Sequence, residues 1–234
     1  MKAKPFYFKQ FTIHQDRCAL KVGTDGVLLG AWTACKNSNL ILDIGAGTGI
    51  ISLMLSQRSG ATITAIEIDK DASEQCADNF KNSPWSNRLT VIQQSVQKYS
   101  ENSTDSFDLI VSNPPFHSIQ KTTTQRSTAR SEQELNLSEL FKAVHSLLLP
   151  KGKFCIIFPF SRIEELVQFA KGFQLYAAKI CSVKGNHSSE IKRILVEFKF
   201  GEQQLVETNL TIEEDRHNYT SEYRELCADY LTIF

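Results

Sequence analysis

The stretch Asp108-Leu109-Ile110-Val111-Ser112-Asn113-Pro114-Pro115-Phe116 constrains the fold more than any other part of the chain. It begins as a buried strand and ends at two consecutive prolines. Neither proline has a backbone N–H to donate, so a central strand cannot continue through them. The chain must turn, in extended geometry, just past the strand's carboxyl end. In an open parallel sheet, that end is where ligands bind. The turn offers an amide, carbonyls without competing N–H groups, and an aromatic ring. This set suits a flat substrate bearing an exocyclic amino group. Asn113 and the Pro114 carbonyl can accept hydrogen bonds from the NH2, while Phe116 stacks on the ring. Taken alone, the stretch also fits a strand ending in a Pro-Pro turn with a core phenylalanine. The glycine loop upstream argues against that alternative.

From Leu40 the pattern repeats strand then helix. Leu40–Ile44, Ala61–Glu67, Leu89–Gln94, Phe107–Ser112 and Lys153–Phe158 read as strands, and Ile50–Gln57, Lys70–Lys81 and Leu137–Leu149 as helices. Ser161-x-x-Glu164 reads as a capping box for a helix running to Lys171, with Gly172 as its stop. Phe173–Val183 and Ile191–Phe200 read as a hairpin around a Lys-Gly-Asn-His loop. The alternation predicts an α/β fold: a doubly wound, mostly parallel, seven-stranded sheet, Rossmann-like, closed by an antiparallel C-terminal hairpin. Residues 1–39 are expected to form an arm packed on the main domain of 40–200. That arm is expected to hold an aromatic segment, as a short hairpin or an extended arm, then a Lys21–Gly26 turn and a helix over Val27–Trp32. The extension 201–234 is acidic, then helical from about Ser221.

Composition narrows the class. The chain has 234 residues, 41% of them hydrophobic and 22% charged, which suits one globular, soluble domain with small appendages. No run of about 18 apolar residues exists to span a membrane. The first nine residues lack the apolar core of a secretory signal, so a cytoplasmic location is expected. Six cysteines and five histidines are scattered with no Cys-x-x-Cys pair, so reduced thiols and no metal are expected. Net charge is zero but uneven. Residues 117–200 carry 13 Lys or Arg against 7 Asp or Glu, and 201–234 carry 2 against 8. A basic face near the Pro-Pro turn would suit phosphate, although the zero total keeps nucleic-acid binding a hypothesis. The segment His117–Glu134 is rich in Ser, Thr and Gln and carries Lys121, Arg126 and Arg130. It reads as a substrate loop able to meet phosphates flanking a displaced base, with plain disorder as the competing reading.

Asp43-Ile44-Gly45-Ala46-Gly47-Thr48-Gly49 lies directly between the first strand of the repeat and its helix. Glycines there let the backbone approach a ligand closely, and the helix N-terminus favours a carboxylate. Glu67, at the end of the second strand, is placed to grip both hydroxyls of a ribose. A nicotinamide dinucleotide is the first alternative. Here, however, the glycines run Gly-x-Gly-x-Gly, and Asp43 would face a pyrophosphate unfavourably while suiting an amino-acid ammonium group. Both features favour S-adenosylmethionine.

With these motifs the chain resembles class I S-adenosylmethionine-dependent methyltransferases, and Asn-Pro-Pro-Phe resembles the turn of those that methylate planar nitrogens. It is most similar to the bacterial tRNA1(Val) (adenine-37-N6)-methyltransferase family. That resemblance runs nearly end to end through Phe8–Phe11, Asp16–Ala19, Lys21–Gly26, Leu28–Trp32, Ser83-Pro84-Trp85, Gln125-Arg126, Ala129-Arg130 and the Tyr219-x-x-x-Tyr223 tail. It implies a tRNA (adenine-N6)-methyltransferase, a monomer, acting on the anticodon stem-loop. Asn113, Pro114 and Phe116 would be catalytic. The cofactor would be bound by Lys21, Gly23, Thr24, Asp43, Gly45, Gly47, Glu67, Ile68, Ser95 and Asn113. The RNA would be met by Pro115, Lys121, Arg126 and Arg130. One departure stands out: Ser95 occupies a position near the cofactor adenine where the family commonly has an acid. Methylation of guanine N2 in ribosomal RNA or of a glutamine amide remains an alternative, as does a non-catalytic RNA-binding module.

Overall fold

The computed structural model describes residues 3–115 and 136–234. Its elements, in chain order, begin with a two-strand hairpin, β1 (Phe6–Tyr7) and β2 (Thr12–Ile13), followed by helix α1 (Thr24–Trp32). The alternating body comprises β3 (Leu40–Ile44), α2 (Ile50–Arg58), β4 (Thr62–Glu67), α3 (Lys70–Lys81), β5 (Leu89–Gln93), α4 (Val96–Asn102) and β6 (Phe107–Ser112). It continues with α5 (Leu137–Leu147), β7 (Leu148–Pro159), α6 (Ile163–Gly172), β8 (Leu175–Asn186) and β9 (Ile191–Phe200). The tail contributes β10 (Val206–Asp215), β11 (Asn218–Tyr219) and α7 (Ser221–Cys227).

The main sheet has strand order β11-β10-β8-β9-β7-β6-β3-β4-β5. The β7-β6-β3-β4-β5 block is parallel, and β9 joins it antiparallel to both β7 and β8. The expected seven strands are present, and two more extend them. Strand β10 pairs parallel with β8, and β11 closes on β10. These two lie in the acidic stretch that the sequence reading left without regular structure. Polar residues, Glu207, Asn209, Thr211 and Glu213, alternate there with Val206, Thr208, Leu210 and Ile212, and a strand near the sheet edge tolerates charge on its open side.

Alternation along the strands builds two cores. Ile41, Leu109 and Val111 face a cluster with α1, α2, α3 and α7, while Leu42 and Ile110 face one with α4, α5 and α6. Helix α3 shows the logic locally. Asp69 caps it by accepting from the Ala72 N–H at 2.8 Å, and Ala72, Cys76 and Phe80 fall on one buried face. The arm and tail belong to the first core. Phe8 stacks on Phe11, the Lys9 N–H donates to the Tyr230 carbonyl at 2.8 Å, and the Tyr230 hydroxyl donates to the Met54 carbonyl at 3.1 Å.

Two sequence readings need correction. The capping box lies at Asn136 and Glu139, opening α5, not at Ser161 and Glu164. Residues Phe160–Arg162 form a 3-10 turn, so α6 starts later, at Ile163, and its N-cap Arg162 makes no side-chain cap bond. Helix α4 was not anticipated, because seven residues with only Val96 and Tyr99 buried show too little periodicity. No helix among the described residues is long and apolar enough to cross a membrane.

Candidate active site

The site is built from three neighbouring strand ends. Ile44 of β3 pairs with Ile66 of β4 and with Ser112 of β6, so the chain leaves the sheet at one level after all three. The N–H groups of Gly45 and Ala46 both donate to the Ile66 carbonyl, at 2.9 and 3.1 Å. The Ser112 hydroxyl donates to the Ile44 carbonyl at 3.0 Å. These bonds tie the glycine loop to Glu67 on one side and to Asn113 on the other.

The three glycines differ. All have positive φ, at 72° for Gly45, 56° for Gly47 and 80° for Gly49. A Cβ on Gly49 would lie 2.6 Å from the Phe80 ring and 2.8 Å from the Cys76 sulfur, so this glycine serves helix packing. At Gly45 and Gly47 a Cβ would meet nothing within 4 Å, so their open side faces space that a ligand can fill. The Gly47 N–H donates to Glu67 Oε2 at 2.8 Å, and the Asp69 N–H to Oε1 at 2.9 Å. Two lone-pair positions of the carboxylate are thereby used, leaving two for hydroxyl donors. Asp43 is fully buried. Its Oδ2 accepts from the Ser52 hydroxyl at 2.7 Å and the Ser52 N–H at 3.2 Å, whereas Oδ1 has no partner among the described residues. Burial raises its carboxyl to about 6, opposed by the Ser52 bonds and helped by the nearby Glu67 charge.

Other expected contacts fall less directly on the site. Ile68, next to Glu67, is 47% exposed and presents an apolar face. Gly23 and Thr24 are exposed at the start of α1. The Lys21 ammonium donates to the carbonyls of Gln15 and Cys18, which fastens the 15–18 loop. That loop lies beside Glu67, whose charge, after burial, helps push the Cys18 thiol up to about 11. Ser95 caps α4 by accepting from the Lys98 N–H at 3.3 Å. Asn113 is half-buried, Pro114 buried and Pro115 exposed. Phe116, Lys121, Arg126 and Arg130 lie outside the described residues. No group of three metal-ligating side chains occurs among the described residues.

A buried polar pair escaped the sequence reading. Asn79 accepts from the His14 N–H and donates to the carbonyls of His14 and Thr48, each at 2.9 Å. Gln75, one turn earlier, accepts from the Arg17 N–H at 3.2 Å. Asn79 thereby clamps the arm to the glycine loop, and Gln75 ties the arm to α3. Their signal was present: two amides four residues apart on the stripe otherwise formed by Ala72, Cys76 and Phe80.

Comparison with known proteins gives this geometry a family. The methyltransferase small domain profile matches residues 22–159. A protein of Flavobacterium psychrophilum named tRNA1(Val) (adenine(37)-N6)-methyltransferase is 48% identical, over 96% of this chain and 98% of its own. One of Bacteroides fragilis with the same name is 42% identical, over 97% and 98%. This chain belongs to the tRNA1(Val) (adenine(37)-N6)-methyltransferase family. Among solved structures, a predicted O-methyltransferase of Agrobacterium tumefaciens superposes with a TM-score of 0.72 at 18% identity. The match covers 88% of this chain and 96% of that one and establishes the shared fold.

For a family that transfers methyl groups, the residues present fit S-adenosylmethionine. Asp43, a buried carboxylate with an unpartnered oxygen, would hold its ammonium group, Glu67 would hold its ribose, and the open side of Gly45 and Gly47 would leave room for it along the backbone. A dinucleotide pyrophosphate would instead face two carboxylates.

Proposed function

We propose that this protein is an S-adenosylmethionine-dependent methyltransferase that methylates N6 of adenine 37 in the anticodon loop of tRNA1(Val). The observation that carries the reading is the level register of Ile44, Ile66 and Ser112, which puts the Asn113-Pro114 turn beside the glycine loop and Glu67. When bound, S-adenosylmethionine supplies an electrophilic sulfonium methyl. The remaining task is to make an amine nucleophilic and aim it. The N6 lone pair of adenine is delocalised into its ring. Asn113 Oδ1 and the Pro114 carbonyl accept the two N6–H bonds, which fixes the amine and turns its lone pair out of the ring. Pro115 lends no N–H to compete. Phe116 follows directly in the chain, where the base needs a stacking surface worth about 1–3 kcal/mol. Positioning and fixed dipoles then lower the barrier. An anticodon loop suits such a site, because an unpaired base leaves its stack at little cost. Six free, buried cysteines suit the reducing cytoplasm where tRNA acts.

The test is mass-spectrometric mapping of nucleosides after incubating tRNA1(Val) with the protein and isotopically labelled S-adenosylmethionine. Label in N6-methyladenosine at position 37 is expected. Label in a guanine N2 or a protein amide, with adenine 37 unmodified, would overturn the reading.

A further inference from the structure

The same sheet edge continues past the catalytic turn. Pro159 at the end of β7 pairs with Arg193 near the start of β9, and β9 in turn pairs with the end of β8. The carboxyl edge therefore runs on from Asn113 across Pro159, Ile191–Arg193 and Lys184–Asn186. The pairing is irregular at this point. Val183 faces Arg193 and Lys184 faces Ile191, so Lys192 is an extra residue on β9. A bulge of this kind re-aims a side chain next to a site.

Most charges on this edge are neutralised. Arg162 holds Glu165 through two bonds at 2.7 and 2.8 Å, Arg193 holds Asp25 at 2.9 Å, and His187 meets Glu214 at 2.7 Å. Lys184 and Lys192 differ. Neither ammonium has a carboxylate or carbonyl partner among the described residues. Lys192 is exposed and Lys184 half-buried. One exposed acid, Glu190, sits in the adjoining turn. Beyond Lys184 the edge turns acidic, because Asn186 pairs with Glu213 and β10 ends in Glu213-Glu214-Asp215.

We propose that Lys184 and Lys192 form a phosphate-contact surface for the RNA strand that flanks the target adenine. The proposal rests on the tRNA methyltransferase reading and specifies how that substrate lies. Strands β9 and β8 are the second and third from β6, roughly 10 and 15 Å away at about 4.8 Å per strand. Those spacings suit backbone phosphates next to a base held at Asn113. The acidic end of β10 repels phosphate and turns the RNA away from the outer corner of the sheet. Such contacts set register and carry no sequence information.

The experiment is a salt titration of tRNA1(Val) affinity for wild type, Lys184→Gln/Lys192→Gln and the charge-matched control Lys36→Gln/Lys151→Gln. The control lysines are exposed near the opposite edge, before β3 and early in β7. Losing two phosphate contacts lowers the log–log salt slope by about 1.4. Between 50 and 200 mM salt, wild type should thus lose about 7-fold more affinity than the edge variant. The control should follow wild type, and all three proteins should bind S-adenosylmethionine equally. If wild type methylates adenine 37 but the edge variant's line is parallel to its own, the surface is wrong and the function stands. An equal change in the control also overturns it. Wild type that neither binds nor methylates tRNA1(Val) would overturn the functional reading, and the surface with it.

Discussion

On the β3–β4 side, the carboxyl edge carries Asp43, held by the hydroxyl and N–H of Ser52 in α2, and Glu67, held by the N–H groups of Gly47 and Asp69. On the β9–β8 side it carries Lys184 and Lys192, which no described residue holds. The Asn113 turn lies between the two halves. The acidic half is rigid and pre-arranged, as suits a small ligand with two positive centres that must be placed to a fraction of an ångström. The basic half has long, free side chains, as suits a polyanion gripped at several weak points. If one edge separates chemistry from docking in this way, variants on either side should have separable effects.

The largest effect should come from the boundary itself. Asn113→Ala removes an acceptor from the amine, and losing one such preorganised group costs about 100-fold or more in turnover. Affinity for S-adenosylmethionine and tRNA should change little, as calorimetry and a binding titration would show. Near-normal turnover on tRNA1(Val) would mean that the turn does not address the amine.

Next comes the acidic half alone. Glu67→Ala removes charge-assisted hydrogen bonds to the ribose and should weaken cofactor binding by about 1.5–3 kcal/mol. Glu67 also receives the Gly47 and Asp69 N–H groups, so thermal unfolding must show the fold retained. Unchanged calorimetric affinity in a folded variant would remove Glu67 from the site. A matching loss of RNA affinity would erase the division between the halves.

How far the sequence revealed this arrangement depends on the range of the interactions. The glycine loop, Glu67 and the Pro-Pro turn were legible because each is a local pattern at the end of a strand. Helix α3 and strand β6 matched to the residue, since capping and periodicity are also local. The bulge at Lys192 was not legible. It exists only because β9 pairs with β8 at a shifted register, which no single segment encodes. Strand β10 was missed for a related reason: its acids read as solvated tail until β8 offers it an edge. The clamp by Asn79 was hidden because its partners, His14 and Thr48, lie 65 and 31 residues away.

A smaller effect sharpens the acidic half through pH. Burial keeps the Asp43 carboxyl protonated up to about 6, whereas in the unfolded chain it ionises near 3.9. Between those values the folded, ligand-free protein holds the extra proton. Its stability should therefore fall as pH rises through that window, with a full cost of about 3 kcal/mol above 6. A cation beside Oδ1 offsets that cost only when Asp43 is ionised. Cofactor affinity should then rise about 10-fold from pH 5 to pH 7 and be flat in Asp43→Asn. A pH-independent affinity in wild type would show that Asp43 is not the counter-ion of the ammonium group.

The smallest expected change adds to the acidic half the acid that the family resemblance implies there. Ser95 stands where the family resemblance places an acid near the cofactor adenine, and its hydroxyl already accepts from the Lys98 N–H. Aspartate caps a helix as well as serine does, and its charge suits the N-terminus of α4. Ser95→Asp should therefore leave the melting temperature nearly unchanged. A carboxylate has acceptor positions left over after capping, so it can also take a hydrogen bond from the adenine amino group. Affinity for S-adenosylmethionine should rise about 2-fold, the lower end of one net hydrogen bond. The salt dependence of tRNA binding should stay as in wild type, since Ser95 lies on the far side of Asn113 from the lysines. Calorimetry with the folded variant decides the matter: equal or weaker cofactor binding would mean that the adenine does not lie at the start of α4.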